Sequence, residues 1–171
     1  AQDADSLSVV RQVDSLIQVS RTFTGQGDFE KALEINAAAD KLALEEIGRE
    51  SAAYGNVCFN HGRIMHFKGD FLEAEKWYLE SKAIREKVLG KEHPDYAWSL
   101  NNLANLYQKM GNYEKAESLH LESKAIREKI LGKEHPDYLA SLNNLAYLYL
   151  DMGNYPESES QSLEALSIQE K

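Results

Sequence analysis

LESKAIREKVLGKEHPDY at residues 79–96 returns as LESKAIREKILGKEHPDY at residues 121–138, and the two differ at one position in eighteen, Val88 against Ile130. The displacement is 42 residues. It also relates four Gly-Asp/Asn-aromatic steps: Gly27-Asp28-Phe29, Gly69-Asp70-Phe71, Gly111-Asn112-Tyr113 and Gly153-Asn154-Tyr155. Self-similarity at one fixed period signals stacked copies of a single supersecondary unit rather than one globular core. Each copy contacts only its neighbours, so the expected product is an elongated superhelix with a concave face, a shape suited to holding other chains.

One period shows what the unit is. Pro94 suits a first helical position, where its missing N–H costs nothing, and Asp95 adds a favourable negative charge to the first turn. Leu100, Leu103, Ala104, Leu106 and Tyr107 then form one apolar stripe of an amphipathic helix. Gly111 falls where a left-handed residue ends that helix, and Asn112 is a good N-cap for a second one. The second helix carries Tyr113, Ala116, Leu119, His120, Ala125, Ile126 and Ile130. Small residues mark where the two helices approach closely: Ser20, Gly62, Ala104 and Ala146 on first helices, Ala32, Ala74, Ala116 and Ser158 on second ones. The reading is all-α, with eight helices near 5–24, 28–47, 51–67, 70–89, 94–109, 112–131, 136–151 and 154–170. They form one array over 1–171, in repeats of about 5–47, 51–89, 94–131 and 136–171. The first repeat diverges most, as terminal repeats do.

Composition bounds function. The 171 residues carry 28 acids against 19 bases, a formal charge of −9. That sign, with no Lys/Arg run, argues against a nucleic-acid partner. No stretch of about 18 apolar residues is present to span a membrane. Cys58 is the single cysteine, so neither an internal disulfide nor a multi-cysteine metal site is available. It falls in register with Leu16, Leu100 and Leu142, and is read as a buried, inert thiol. His93 and His135 recur with their connector and are read as helix-starting residues. His61 and His66 are five apart, the wrong spacing for one helical face. No metal, cofactor or catalytic group is expected; phosphate-binding glycine loops and a nucleophile elbow are absent.

The pattern Leu100-Asn101-Asn102-Leu103-Ala104-Asn105-Leu106-Tyr107, followed by Gly111-Asn112-Tyr113-Glu114-Lys115-Ala116-Glu117, resembles a tetratricopeptide repeat. With Ala125-Ile126-Arg127-Glu128-Lys129 and Leu131-Gly132-Lys133-Glu134-His135-Pro136-Asp137 it is similar to the 42-residue variety of kinesin light chains. Arrays of near-identical copies also resemble bacterial ones that precede a caspase-like CHAT peptidase domain. The resemblance implies a right-handed superhelical solenoid that binds peptides or protein surfaces, with the first helix of each pair lining the concave face. Repeat two departs from it, with Cys58-Phe59-Asn60-His61-Gly62 for Leu-Asn-Asn-Leu-Ala and a connector without His-Pro-Asp.

Transferred onto this chain, the groove positions are Asp14, Ile17, Arg21 and Thr24, then Asn56, Phe59, Arg63, His66 and Phe67. Repeats three and four give Trp98, Asn101, Asn105, Gln108 and Lys109, then Ala140, Asn143, Tyr147, Leu150 and Asp151. Asn60, Asn102 and Asn144 match the family's ligand-backbone asparagine. A carboxamide offers donor and acceptor together, so it can pair with an extended peptide; it can equally brace neighbouring helices. Arg21, Arg63 and Lys109 add positive charge, and Phe59, Trp98 and Tyr147 add aromatic area. The expected partner is a protein or peptide, with an acidic segment carrying an aromatic or aliphatic anchor.

The runs 80–87 and 122–129 read as solvated outer faces, with Lys82–Glu86 and Lys124–Glu128 as i,i+4 pairs. The chain opens without Met and stops inside a repeat, so it reads as a processed product or an excised piece, cytoplasmic or exported. Leu163, Leu166 and Ile168 are then left as an apolar edge open to self-association. Two functions follow: a non-catalytic protein-interaction module, or a structural spacer. The alternative to the first extends to a self-associating scaffold or a regulatory array for a catalytic domain outside this chain.

Overall fold

The computed structural model describes residues 2–170, with side chains from residue 6 to residue 170. Among the described residues eight helices occur in order: α1 (Gln2–Gln26), α2 (Phe29–Glu46), α3 (Ala52–Lys68), α4 (Phe71–Leu89), α5 (Pro94–Lys109), α6 (Tyr113–Leu131), α7 (Pro136–Asp151) and α8 (Tyr155–Gln169). The same residues contain no strand. The expected limits hold to one residue except in α1, which extends beyond the expected 5–24 at both ends. Packing divides the chain into two compact units, Ala1–Gly90 and Lys91–Lys171, each made of two helix hairpins.

Local chemistry fixes where the helices start and stop. Asp28, Asp70 and Asn112 each accept a hydrogen bond from the backbone N–H three residues on, capping α2, α4 and α6. Each connector histidine also acts as a cap. The Nδ1 atoms of His93 and His135 accept from the N–H groups of Asp95 and Asp137, at 3.1 Å in both copies. Inside the hairpins, Gly27, Gly69, Gly111 and Gly153 sit at φ of 79°, 89°, 76° and 73°. A side chain there would be strained, and the next residue's N–H returns to the carbonyl of Phe23, Met65, Tyr107 or Tyr149.

Small residues set the approach within each hairpin. The Ser20 hydroxyl donates to the Ala32 carbonyl at 2.8 Å, and in the last repeat the Ser158 hydroxyl donates to the Ala146 carbonyl at 2.8 Å. The two terminal repeats thus use the same contact in opposite directions. In the middle repeats the neighbouring second-helix serines do similar work: Ser81 donates to Gly55 and Ser123 to Ala97. Leu100, Leu103, Leu106, Leu142, Leu145 and Leu148 are fully buried, as the stripe requires.

The runs read as solvated faces are only partly so. Ser81, Arg85, Ser123 and Arg127 are buried. Of the two expected pairs, Lys82–Glu86 is present at 3.8 Å. Lys124 instead turns to α8, bonding Gln161 at 3.1 Å and Glu164 at 3.3 Å. Tyr138 donates to Glu164 at 2.7 Å, and Lys133 lies 3.6 Å from the same carboxylate. Replacing Glu164 with Gln is expected to cost under about 1 kcal/mol, because the group is partly solvated. An unchanged urea midpoint for E164Q would show that this cluster contributes nothing.

Candidate functional site

The first-helix faces hold the residues expected to line a groove, and each unit presents its own. In Ala1–Gly90 that face belongs to α1 and α3. Asn60 is fully buried: its amide donates to Ser20 Oγ and to Asn36 Oδ1, both at 2.9 Å. It braces three helices and presents no atom to a surface, so it leaves the ligand-contacting set. Ile17, Thr24 and Phe59 are buried too. Ile17 joins the α1–α3 core with Val57 and Cys58, and Phe59 packs against Tyr78 of α4. Asp14 and Phe67 remain exposed, and Arg21, Asn56, Arg63 and His66 are half-buried. The Arg63 guanidinium lies 5.4 Å from the Phe67 ring centroid. Burial and then the neighbouring charge of Arg63 lower the Arg21 pKa, with Asp14 opposing.

In Lys91–Lys171 the face belongs to α5 and α7. Asn101, expected to line the groove, is buried and accepts from Asn144 Nδ2 at 2.8 Å, so it braces α5 against α7. Further along the same pair, Gln108 Nε2 donates to Asp151 at 2.7 Å. These two bridges tie the helices in register. Asn102 donates back to the Trp98 carbonyl of its own helix at 2.8 Å. Asn60, Asn102 and Asn144 thus occupy one repeat position and make three different kinds of contact. Asn105 is half-buried, and Asn143 and Lys109 are exposed.

Tyr147 and Leu150 stand out from this face at 65% and 51% exposure, with Asn143 one turn before them. Repeats one to three carry Arg21, Arg63 and Asn105 at the Tyr147 position and Thr24, His66 and Gln108 at the Leu150 position. Trp98, partly exposed, sits over a buried cation: the Arg127 guanidinium is 5.8 Å from its ring centroid. Arg127 also donates to the Asp137 carbonyl at 3.0 Å and to Ser141 Oγ at 2.8 Å. Its counterpart Arg85 donates to Asn56 Oδ1 at 2.8 Å and lies 4.8 Å from the Phe59 ring. Sequence reasoning missed this pair. The available signal was an arginine repeating at 42 residues, four positions after a serine that repeats with it, on the helix face that also carries Ala74 and Ala116.

Other chemistry is confined. Cys58 is buried against Tyr54, and burial pushes its thiol up to about 12, far from a reactive thiolate. His61 stacks on Trp77 at a centroid distance of 4.1 Å. Among the described residues no cluster of three His, Cys, Asp or Glu side chains is placed to hold a metal ion, and no helix is long and apolar enough to cross a membrane.

Helix hairpins repeating at a fixed period, with capped turns and small-residue contacts inside each pair, define an all-α protein of the helical-repeat class. The chain belongs to the tetratricopeptide repeat family, which it matches over residues 49–129 and 100–171. Solved structures agree. BtubC (BKLC) from P. vanneervenii superposes with a TM-score of 0.81 at 24% identity, covering 92% of this chain and 63% of that one, so this chain spans less than two thirds of that relative. A putative kinesin light chain from Podosopora anserina, built of nearly identical TPR-like repeats, gives 0.73 at 27%, covering 92% and 74%. MamA gives 0.65 at 17%, covering 92% and 78%. The kinesin-light-chain-like type of repeat expected from the sequence is thus found among its structural neighbours. No curated protein matches the chain. These likenesses concern the repeat array and not a neighbouring peptidase domain. Proteins of this family generally serve as interaction or scaffold modules.

Proposed function

We propose that this chain is a non-catalytic protein-interaction module whose first-helix faces hold a peptide segment or a partner protein. The observation that supports it most is the outward pair Tyr147 and Leu150 on α7, on a helix whose other large apolar side chains are buried or half-buried. Aromatic and aliphatic anchors of this kind carry most of the energy of protein recognition. Around them Trp98, Asn102, Asn105, Lys109, Asn143 and Asn144 supply aromatic area, amides and one cation. In the other unit Arg63, with Arg21 and Phe67, favours an acidic segment with an aromatic or aliphatic anchor.

A combinatorial display library of extended peptides tests this. Peptides selected on the wild-type chain are expected to bind Y147A/L150S at least about tenfold more weakly, since each lost anchor is worth about 1 kcal/mol or more. Asn102→Ala/Asn105→Ala/Lys109→Ala probes the polar part of the same face. Equal binding by the wild type and by both folded variants would remove the reading.

A second reading, a spacer that associates with copies of itself, is favoured by one residue. Leu166 is half exposed on α8, at the position where α6 has Lys124 bonded to the next hairpin. The rest of the supposed apolar edge is narrower than the sequence indicated. Leu163 is 57% exposed, but its counterpart Leu121 is also outward at 44%, with a further hairpin following it. Ile168 packs against the Tyr138–Leu142–Ala165 cluster. If Leu166 joins copies, L166E is expected to sediment as monomer at concentrations where the wild type self-associates; a monomeric wild type would discard the reading.

A further inference from the structure

The α6 face that packs into the second unit carries Ala116, His120, Ser123 and Arg127, all buried. Ser123 binds the Ala97 carbonyl of α5, while Arg127 binds the Asp137 carbonyl and Ser141 of α7. His120 lies one turn before Ser123 on this same face. It is fully buried, and neither Nδ1 nor Nε2 has a hydrogen-bond partner. Imidazole always offers at least one donor and one acceptor or two donors, so two silent nitrogens in a core are unusual. The equivalent residue of the first repeat, Asn36, uses its amide: it accepts from Asn60 and donates to the Val57 carbonyl at 3.4 Å. The packing of the first repeat therefore employs a polar group here, and that of the third leaves one idle.

We propose that His120 is a proton-operated latch for the second unit: it packs as a neutral ring, and taking up a proton opens α6 from α5 and α7. The surroundings give a new charge nowhere to go. Residues 96–108 of α5 and 138–150 of α7 contain no Asp, Glu, Lys, Arg or His. Their titratable groups are tyrosines alone: Tyr96 and Tyr107 on α5, Tyr138, Tyr147 and Tyr149 on α7. Tyr96 donates to Glu122, Tyr138 to Glu164 and Tyr149 to Glu117. Glu117, three residues before His120 on α6, already holds Tyr149, at 2.8 Å. The cation sharing the buried face, Arg127, repels a second one. Burial first, and Arg127 next, lower the His120 pKa to about 4.

The sign follows from linkage. An opened state exposes the ring, which then titrates near 6.5, so the open state binds the proton more tightly. Nothing is lost above about pH 6.5, and the closed state weakens progressively as pH falls towards 4. Arg127 is the link to the surface, since its guanidinium lies under Trp98. Releasing α6 would therefore release the support of Trp98. That consequence for binding rests on the function proposed above; the latch itself does not.

The test needs no ligand. In the full chain carrying Trp77→Phe, Trp98 is the single indole. Amide exchange across α6 and α7, and Trp98 fluorescence, are followed from pH 7.5 to pH 4. The opening constant is expected to rise by roughly two orders of magnitude more in this chain than in His120→Asn, which copies the first repeat. Carboxylates titrate in both chains and cancel in the comparison. Superimposable pH profiles for the two would overturn the proposal. If His120→Asn fails to fold, the ring proton of His120 is titrated by NMR in the parent chain: a midpoint near 6.5 overturns the latch, and one well below 5.5 supports it. Failure of the peptide-binding test would leave either result intact.

Discussion

Arg127→Ala is expected to lower the stability of the Lys91–Lys171 unit by about 3 kcal/mol, the sum of lost charged hydrogen bonds and lost packing. The guanidinium is buried, closes two hydrogen bonds onto the start of α7, and fills the space beneath Trp98. Desolvation lowers the Arg127 pKa and Asp137 partly restores it, so the charge itself is held at a cost. Arg127→Met separates these effects. Methionine keeps the stem and the contact with the indole, and the Asp137 carbonyl still receives the Ser141 hydroxyl at 3.1 Å. The loss should then fall to about 1 kcal/mol. Urea unfolding and amide exchange in α7 measure both variants. An alanine variant within about 1 kcal/mol of wild type would mean that this arginine is not a clamp between hairpins.

The same residue shows why part of the site was illegible. Periodicity placed eight helices because caps and apolar stripes are local signals, each read within a few positions of sequence. Pro94, Asn112 and the hairpin glycines each appear where elementary backbone chemistry puts them. Whether a long charged side chain leaves the surface depends instead on what the next hairpin offers. Arg127 buries because Asp137 presents a carbonyl and Ser141 a hydroxyl, and no window confined to α6 contains either. Lys124 likewise bonds Gln161 and Glu164 on α8 in place of its helical neighbour Glu128. The asparagine ladder shows the same dependence on neighbours. The sequence leaves ligand contact and helix bracing open for this one repeat position, and Asn60, Asn102 and Asn144 meet different neighbours and bond differently. Tyr147 was legible as an outward aromatic, while Phe59, expected on the groove face as well, went into the core against Tyr78 at a centroid distance of 5.3 Å.

Repeats that share a backbone therefore differ at the contact between the two helices of a pair, and Gly62→Ala is expected to expose that difference. Adding a Cβ at Gly62 would place it 2.6 Å from Cδ1 and 2.9 Å from Cε1 of Tyr78. The ring is fully buried and also packs on Phe59, so it has no room to withdraw. Overpacking of this kind costs about 1–3 kcal/mol, more than the roughly 1 kcal/mol an alanine gains over glycine inside a helix. A net loss of up to about 2 kcal/mol in the Ala1–Gly90 unit follows, against the ordinary helix-propensity trend. Repeats three and four already tolerate alanine here, at Ala104 and Ala146, because the residue opposite is His120 or Ser162 instead of tyrosine. The double variant Gly62→Ala/Tyr78→His should accordingly recover part of the loss, giving a coupling of about 1 kcal/mol between the two sites. Urea denaturation of the two single variants and the double one measures it. Strictly additive effects would show that the glycine is tied to helix α3 alone and not to the tyrosine across the hairpin.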